Sequence, residues 1–193
     1  IRDSFEPQAL SQGAEATARR IRKLMARSKE LLSHHPINLR RERLGLNPAN
    51  MIWPWSPGRR LRIKPFRKVW GISAAAISAV TTVRGLAKAS GMDAPEVPGA
   101  TGMLDTNFEA KVDFAIDALA THDLVYLHLE AADEMGHAGD VRGKIRAIEE
   151  IDSRVVSPML SFLERSGHEF RVAVIPDHFT PCTIRTHVRD PTP

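Results

Sequence analysis

Residues 124–140 read LVYLHLEAADEMGHAGD, and this stretch decides the fold that we predict. Its first six residues are apolar apart from His128, which is typical of a central strand buried on both faces of a parallel sheet. A second run of this kind covers residues 170–175. The segment between the two runs predicts one long helix, which is capped by Asp140 and closed by Gly167. A strand, a helix and a strand in this order predict a βαβ unit and therefore an α/β fold.

Apolar patterns predict the buried face of the long helix and further elements upstream of the βαβ unit. We expect the long helix to bury an apolar face made of Val141, Ile145, Ile148, Ile151, Val155, Met159 and Leu163. Further elements are predicted as an aromatic strand at 51–55, a strand or turn leading into a helix over 75–90, a short strand at 94–97, and a helix capped by Thr106 or Asn107.

The N-terminal part of the chain has a different pattern. Residues 12–33 predict an amphipathic helix, with arginine and lysine on the side opposite the apolar residues. Pro36 predicts the end of helical structure and a loop as far as Asn50. We therefore divide the chain into a helical piece, residues 1–49, and an α/β piece, residues 50–193.

Composition excludes several classes of protein. The chain has 193 residues, of which 42% are hydrophobic and 26% charged, so it is neither disordered nor collagen-like. Its single cysteine, Cys182, cannot form an internal disulfide, and we interpret it as a packing residue. No apolar run approaches the roughly 20 residues that span a bilayer, and no signal-peptide pattern opens the chain. These features predict a cytoplasmic protein without a membrane partner.

Charge is unevenly distributed along the chain. The net charge is +4, and basic residues concentrate over 19–43 and 59–68. Such runs are compatible with nucleic-acid binding. Aromatic residues make up only 6% of the chain and do not alternate with the basic ones, so solvated helix and loop surfaces are the better interpretation. We predict no nucleic-acid partner, and the second run would also suit a small anionic substrate.

Residues that commonly bind metals follow the two best strands. Asp133 and His137 come shortly after the first strand, Asp177 and His178 come directly after the second, and His187 lies further along. In open α/β sheets, ligands bind beyond the carboxyl ends of the strands. We expect the side chains of Asp133, His137 and His187 to converge on one point, with the other pair near a neighbouring point. Carboxylates and imidazoles suit Mn²⁺, Zn²⁺, Fe or Mg²⁺.

These motifs also carry a family resemblance. Residues 129–140, 175–181 and 185–191, together with 35–38, 51–59 and 99–106, resemble the cofactor-independent phosphoglycerate mutases of archaeal type, in the alkaline phosphatase superfamily. The resemblance implies a mostly parallel sheet flanked by helices, of which this chain would hold the C-terminal part. Residues 1–49 would then be a helical remnant of an inserted substrate-binding domain with its linker.

The resemblance implies a two-metal phosphomutase that interconverts 3-phosphoglycerate and 2-phosphoglycerate in glycolysis, through a phosphoenzyme and without 2,3-bisphosphoglycerate. One divalent ion (Mn, Zn or Mg) would bind Asp133, His137 and His187. The second would bind Asp177 and His178, together with an aspartate and a serine or threonine nucleophile upstream of Ile1. The small phosphorylated substrate would be the partner of the complete enzyme. The 193-residue chain alone is expected to be inactive.

One residue departs from the family pattern, and the resemblance assigns no definite role to several others. Phe179 stands where the family usually has proline, and the match gives Ser56 no role as a nucleophile. Arg59 and Arg60 lie in a basic loop, where they would either grip a substrate phosphate or carboxylate, or simply face solvent. His128 is expected to pack within its strand.

Two other functions remain open from the sequence. One is an alkaline phosphatase-superfamily enzyme acting on another phosphoester or a phosphonate, because that superfamily shares its metal ligands across substrates. The other is a non-catalytic, metal-stabilised module. An upstream aspartate and a serine or threonine in the family spacing would favour an enzyme.

Overall fold

The computed structural model describes residues 6–54, 58 and 62–192, and the chain divides into two compact units, Ile1–Arg60 and Leu61–Pro193. The division falls later than the boundary after residue 49 that we drew from the sequence. That residues 1–49 are a remnant of an inserted domain stays a prediction.

The first unit contains two helices, α1 (Glu15–Ser33) and α2 (Pro36–Arg43). Helix α1 confirms the amphipathic helix predicted over 12–33, and it buries Ala18 and Met25. Helix α2 corrects the loop predicted from Pro36 onward. Proline is well suited to the first turn of a helix, where its missing N–H is not needed, and the preceding residue, His35, accepts a hydrogen bond from the Ile37 N–H through Nδ1.

The segment after α2 is held by hydrogen bonds rather than by strand pairing. Buried Asn38 donates to the carbonyl oxygens of Leu32 and Ala49 and accepts from the Ala49 N–H. The Ile52 N–H then donates to Ser28 Oγ, on helix α1, at 3.0 Å. We predicted a strand over 51–55, but residues 51–54 form none, and residue 55 lies outside the described residues. One backbone donor that a strand would use, the Ile52 N–H, is instead bound by a side chain of α1.

The second unit is built on a parallel pair of strands. Strands β1 (Ala74–Ile77) and β2 (Leu124–Leu127) pair with Ala74 opposite Leu124 and Ile77 opposite Leu127. The helices α3 (Phe66–Trp70), α4 (Thr81–Ala89) and α5 (Phe108–Leu119) precede or connect them. The pairing confirms the α/β class, since parallel neighbours require a crossover connection and here that connection contains α4 and α5.

One predicted short strand is wrong. Asp93 forms a single parallel bridge with Ala75, but residues 94–97 form no strand. Pro95 explains the early end of the pairing, because it lacks the N–H that a strand needs to continue its ladder.

The core lies between the sheet and the helices that cover it. Ile77 packs with Val97 and Ala115, and Phe108, which is fully buried, packs with Val112 in a neighbouring cluster. Helix α5 begins at the capping residue Asn107, whose Oδ1 accepts from the Ala110 N–H at 3.0 Å. Of the two caps that the sequence offered, the helix uses this one.

The long helix predicted after Asp140 forms in three consecutive pieces. They are α7 (Val141–Ile151), a π-helical segment (Asp152–Val156) and α8 (Ser157–Arg165), and they follow α6 (Ala131–Ala138). Asp140 caps α7 by accepting from the Gly143 N–H.

The apolar face predicted for this helix is only partly buried. Val155 is buried, but Val141, Ile145 and Ile148 are each more than half exposed, and α7 packs inward through the small residues Gly143 and Ala147 instead.

The second predicted strand is also wrong. Residues 170–175 form no strand, and Val174 and Ile175 are 66% and 78% exposed. An apolar run becomes a buried strand only where neighbouring strands pair with it and cover it. In the described part of the chain the sheet consists of β1 and β2, and neither pairs with this run.

Among the described residues, no helix combines the length and the apolar character needed to cross a membrane.

Candidate metal centre

Asp133 and His137 lie on α6, the short helix that follows β2. They are four residues apart and therefore lie on the same face of the helix, with Asp133 Oδ2 at 3.3 Å from His137 Nε2. The sequence placed these residues after the strand but did not predict the helix.

His187 reaches this face from a separate segment of the chain. Phe179 and Val188 form an antiparallel bridge, in which the Val188 N–H donates to the Phe179 carbonyl at 3.1 Å. The folded-back segment brings His187 Nε2 to 3.0 Å from His137 Nε2 and 3.5 Å from Asp133 Oδ1. The structure thus brings together the three side chains that we expected to converge.

The spacing of these three donors fits a single cation. Their separations are 3.0–3.5 Å when Asp133 is measured from Oδ2 to His137 and from Oδ1 to His187. With one donor atom from each residue, all three atoms lie within 4.8 Å of one another. Two ligands bound at about 2.1 Å to a tetrahedral ion are about 3.4 Å apart, so the group is close to the size that a cation needs. One carboxylate and two imidazoles form a donor set that suits Zn²⁺, Mn²⁺ or Fe. The group is partly accessible, since Asp133 and His137 are half-buried and His187 is exposed.

Asp177 and His178 lie beside this group. The His178 ring contacts the His187 ring, with centroids 3.7 Å apart and planes tilted by 35°, and His178 Nδ1 lies 3.9 Å from Asp133 Oδ1. On its other side, His178 Nε2 lies 3.3 Å from Asp177 Oδ2. The structure therefore places all five candidate ligands in one neighbourhood, with the Asp177 side chain the most exposed.

Thr180 is a site residue that sequence reasoning missed. It is 2% exposed, its Oγ1 donates to Asp133 Oδ1, and its Oγ1 also lies 3.2 Å from His178 Nδ1. A hydroxyl on a ligand carboxylate fixes the orientation of that carboxylate. The only signal in the sequence was the position of Thr180 between two candidate ligands, His178 and His187.

A glycine on α6 allows the Thr180 segment to approach so closely. A Cβ at Gly136 would lie 2.3 Å from the Thr180 carbonyl oxygen, which is closer than any real side chain tolerates. The same carbonyl accepts a hydrogen bond from Lys144 Nζ, on α7, at 2.8 Å. The segment carrying His178 and His187 is thereby attached to two helices.

Further carboxylates lie next to Asp133. Glu130 and Glu134 place carboxylate oxygens within 4.8 Å of it. Burial, followed by the charges of Glu134 and Asp133, raises the pKa of Glu130.

Lys111 is the nearby counter-charge. It is 1% exposed, and its Nζ donates to the Thr101 carbonyl at 3.1 Å. Burial lowers the pKa of Lys111, while the charge of Glu130 acts in the opposite direction. When it is charged, this buried lysine offsets part of the repulsion that Glu130 experiences from the neighbouring carboxylates.

His128 ends the strand ladder and pairs with a buried serine. The backbone N–H of His128 donates to the Ile77 carbonyl, and the ring atom Nδ1 lies 3.2 Å from Oγ of Ser78, the residue that follows β1. Burial lowers the pKa of His128, and the charge of Asp177 opposes that shift. His128 is half-buried, so it packs at the edge of the sheet, where its polar ring also has a partner.

The remaining sequence candidates contribute less to this geometry. Arg59, Arg60 and Ser56 lie outside the described residues. Cys182 is a half-buried free thiol whose Sγ lies 4.0 Å from the Met135 carbonyl oxygen.

A family model and curated relatives match most of the chain. The family model of the metalloenzyme superfamily matches residues 14–193. The chain is 52% identical over 170 residues to a 2,3-bisphosphoglycerate-independent phosphoglycerate mutase from Methanothrix thermoacetophila, covering 88% of this chain and 43% of the relative. It is 50% identical over 184 residues to 2,3-bisphosphoglycerate-independent phosphoglycerate mutase 2 from Methanothermobacter thermautotrophicus, covering 95% and 45%.

A solved structure is similar as well. The PH0037 protein from Pyrococcus horikoshii superposes with a TM-score of 0.74 at 30% identity, covering 91% of this chain and 46% of that one. The chain therefore spans less than half the length of these relatives.

Proposed function

This chain belongs to the metalloenzyme superfamily, and on that basis we propose that it is the C-terminal part of a metal-dependent phosphoglycerate mutase that acts without 2,3-bisphosphoglycerate. The complete protein would interconvert 3-phosphoglycerate and 2-phosphoglycerate. The relatives that carry this activity in their names match 88% and 95% of the chain at 52% and 50% identity.

The observation that carries the proposal is the convergence of Asp133, His137 and His187. His137 and His187 are 50 residues apart in sequence, yet their Nε2 atoms are 3.0 Å apart. Two imidazoles and a carboxylate at this spacing are suited to bind a divalent cation. A cation at such a site polarises a phosphoryl oxygen and stabilises the charge that develops during phosphoryl transfer.

A second cation is proposed at Asp177 and His178. Their side chains lie within 3.3 Å of each other and next to the first group. The role of this chain would be to hold the two groups of metal ligands next to each other. Thr180 would orient Asp133, since its hydroxyl donates to the ligand carboxylate.

Three further points belong to the same proposal. Mn²⁺ is a suitable metal for a mixed imidazole and carboxylate site. Arg59 and Arg60 would bind the substrate phosphate or carboxylate, since arginine binds both in a bidentate manner. A cytoplasmic location fits a glycolytic substrate and a chain with a single cysteine.

The test is an assay of the complete protein that contains this chain, with 3-phosphoglycerate and Mn²⁺ and without 2,3-bisphosphoglycerate. We expect formation of 2-phosphoglycerate, its loss in His187→Ala, and normal turnover in the control Arg189→Ala, which changes an exposed residue of the same segment. Turnover of another phosphoester or a phosphonate, with none of 3-phosphoglycerate, would replace the mutase by a different enzyme of the superfamily. Metal binding without any turnover would indicate a non-catalytic module.

A further inference from the structure

Arg185 has an unusual backbone conformation next to the candidate metal centre. Its φ angle is +60°, and among the described residues it is the one non-glycine residue with a positive φ. Residues other than glycine, asparagine and aspartate rarely adopt this left-handed backbone conformation, because their Cβ then crowds the following carbonyl. Such an exception persists where surrounding contacts enforce it, and it often lies at a functional site.

The contacts that enforce it are visible on both sides of the residue. The Arg185 N–H donates to the Pro181 carbonyl at 2.8 Å, which closes a turn. The guanidinium lies against the end of α6, since a Cβ at Gly139 would be 2.4 Å from Arg185 Nε. A cation at the C-terminal end of a helix is also favoured by the helix dipole.

The consequence of this conformation is the direction of the Arg185 carbonyl. Its oxygen lies 3.0 Å from His137 Nδ1. A carbonyl can only accept, so this hydrogen bond requires the proton at Nδ1. In the neutral ring the lone pair is then at Nε2, the atom that faces Asp133 and His187 at 3.3 and 3.0 Å.

We propose that Arg185 is a positioning residue whose left-handed backbone, rather than its charge, fixes the tautomer and orientation of His137 for metal binding. This inference rests on the proposed metal site. Partners of this kind orient a ligating histidine, and their loss commonly weakens metal binding 10–100-fold.

The test compares substitutions that differ in their tolerance of a positive φ. Arg185→Gly keeps the carbonyl and accepts the left-handed backbone, so we expect a Kd for Mn²⁺ within about threefold of the parent chain. Arg185→Val is β-branched and resists that backbone, so we expect Mn²⁺ binding at least tenfold weaker. Arg189→Val, in the same segment and without a positive φ, is the matched control and should bind Mn²⁺ as the parent does.

Two outcomes would overturn the proposal. One is that Arg185→Val binds Mn²⁺ as tightly as the parent, and the other is that Arg185→Gly and Arg185→Val lose equal affinity, which would assign the role to the guanidinium. If Arg185→Val does not fold by circular dichroism, Arg185→Thr carries the same comparison, since it is β-branched and better suited to an exposed position.

A second readout separates this inference from the metal site itself. Nitrogen-15 NMR of the metal-free chain should show His137 with its proton on Nδ1, and a mixture of tautomers in Arg185→Val. If the parent shows this tautomer but binds no Mn²⁺, the proposed metal site fails while the role of Arg185 stands. If the parent carries the proton on Nε2, the role of Arg185 is refuted whatever the metal affinity.

Discussion

At the scale of single residues, the candidate centre depends on small groups that let ligands approach one another. Gly136 is the clearest case, because the Thr180 carbonyl occupies the space where its Cβ would be. Thr180 in turn holds Asp133 through its hydroxyl. A change at Gly136 therefore acts on the ligands without altering any of them.

We expect Gly136→Ala to weaken Mn²⁺ binding by a factor of 10 or more, because the new methyl group must displace the segment that carries His178 and His187. Gly85→Ala is the matched control, since Gly85 is also helical but has open space around its Cβ position. Isothermal titration with Mn²⁺ measures both. Equal affinities in the two variants would show that the Gly136 contact does not position the ligands.

Arg59 belongs to the same scale, as a proposed substrate contact. In the complete protein, Arg59→Ala should lower kcat/KM for 3-phosphoglycerate by a factor of about 10–150, which corresponds to the roughly 1.5–3 kcal/mol associated with a hydrogen bond to a charged group. Steady-state kinetics test this, with Arg43→Ala on helix α2 as a control for a general loss of positive charge. An unchanged kcat/KM in Arg59→Ala would remove Arg59 from the substrate site.

At the scale of elements, the π-helical segment 152–156 gives one arginine two partners. Arg154 donates to both carboxylate oxygens of Glu109, on α5, at 2.7 Å, and to Glu150, on α7, at 2.9 Å. Its guanidinium also lies 4.9 Å from the centre of the Phe108 ring. The segment is thereby connected to the helix that packs under the sheet.

These contacts predict a pH dependence of stability. The hydrogen bond from Arg154 lowers the pKa of Glu109, and the bonds from Arg146 and Arg154 lower the pKa of Glu150, relative to the ordinary value of 4.5. Groups with a lowered folded-state pKa stabilise the fold above the unfolded value and lose that contribution as the pH falls through the folded value.

Arg154→Met should therefore lower Tm at pH 7, and the difference from the parent should shrink below about pH 4.5 as the carboxylates are protonated. Because Glu109 is exposed and Arg154 and Glu150 are only partly buried, solvent screens these ion pairs and we expect a small change in Tm. Thermal unfolding followed by circular dichroism from pH 3 to pH 7 measures it, with Arg142→Met as the control. A difference that stays constant over this range would contradict the role of the carboxylates.

The elements also show how far the sequence could predict the fold. Strand β2 and the cap at Asp140 followed from local pattern, because apolar runs and capping residues act within a few neighbouring residues. The strand predicted at 170–175 was wrong because strand formation depends on partners elsewhere in the chain. Helix α2 was missed because Pro36 was taken as a helix breaker rather than a first-turn residue.

The candidate site was predictable to a similar extent. The ligand residue types could be found from the sequence, and so could the position of Asp133 and His137 after β2. The strand that was expected to position Asp177 and His178 does not form. Thr180 and the carbonyl of Arg185 could not, because their roles arise from the three-dimensional fold of the segment after residue 176 and from close packing on α6.

At the scale of the whole molecule, the two metal sites that we propose among the described residues differ in their number of protein ligands, three at the first and two at the second. The first is formed by Asp133, His137 and His187, and the second by Asp177 and His178. Three protein ligands are common for a catalytic cation, whereas two leave most of the coordination shell to be supplied by other groups.

We therefore expect titration of the 193-residue chain with Mn²⁺ to show about one strong site per chain, and we expect the chain alone to form no 2-phosphoglycerate above background. The control is His187→Ala, which should remove the strong site. Turnover by the chain alone, abolished by Ser56→Ala, would mean that the nucleophile lies within these residues.

The most direct test of the central claim is anomalous X-ray diffraction from crystals of this chain soaked in Mn²⁺. We expect one manganese peak that lies about 2.0–2.2 Å from Asp133 Oδ, His137 Nε2 and His187 Nε2 alike. A strong manganese peak elsewhere in the molecule, with these three side chains ordered and without metal, would contradict it.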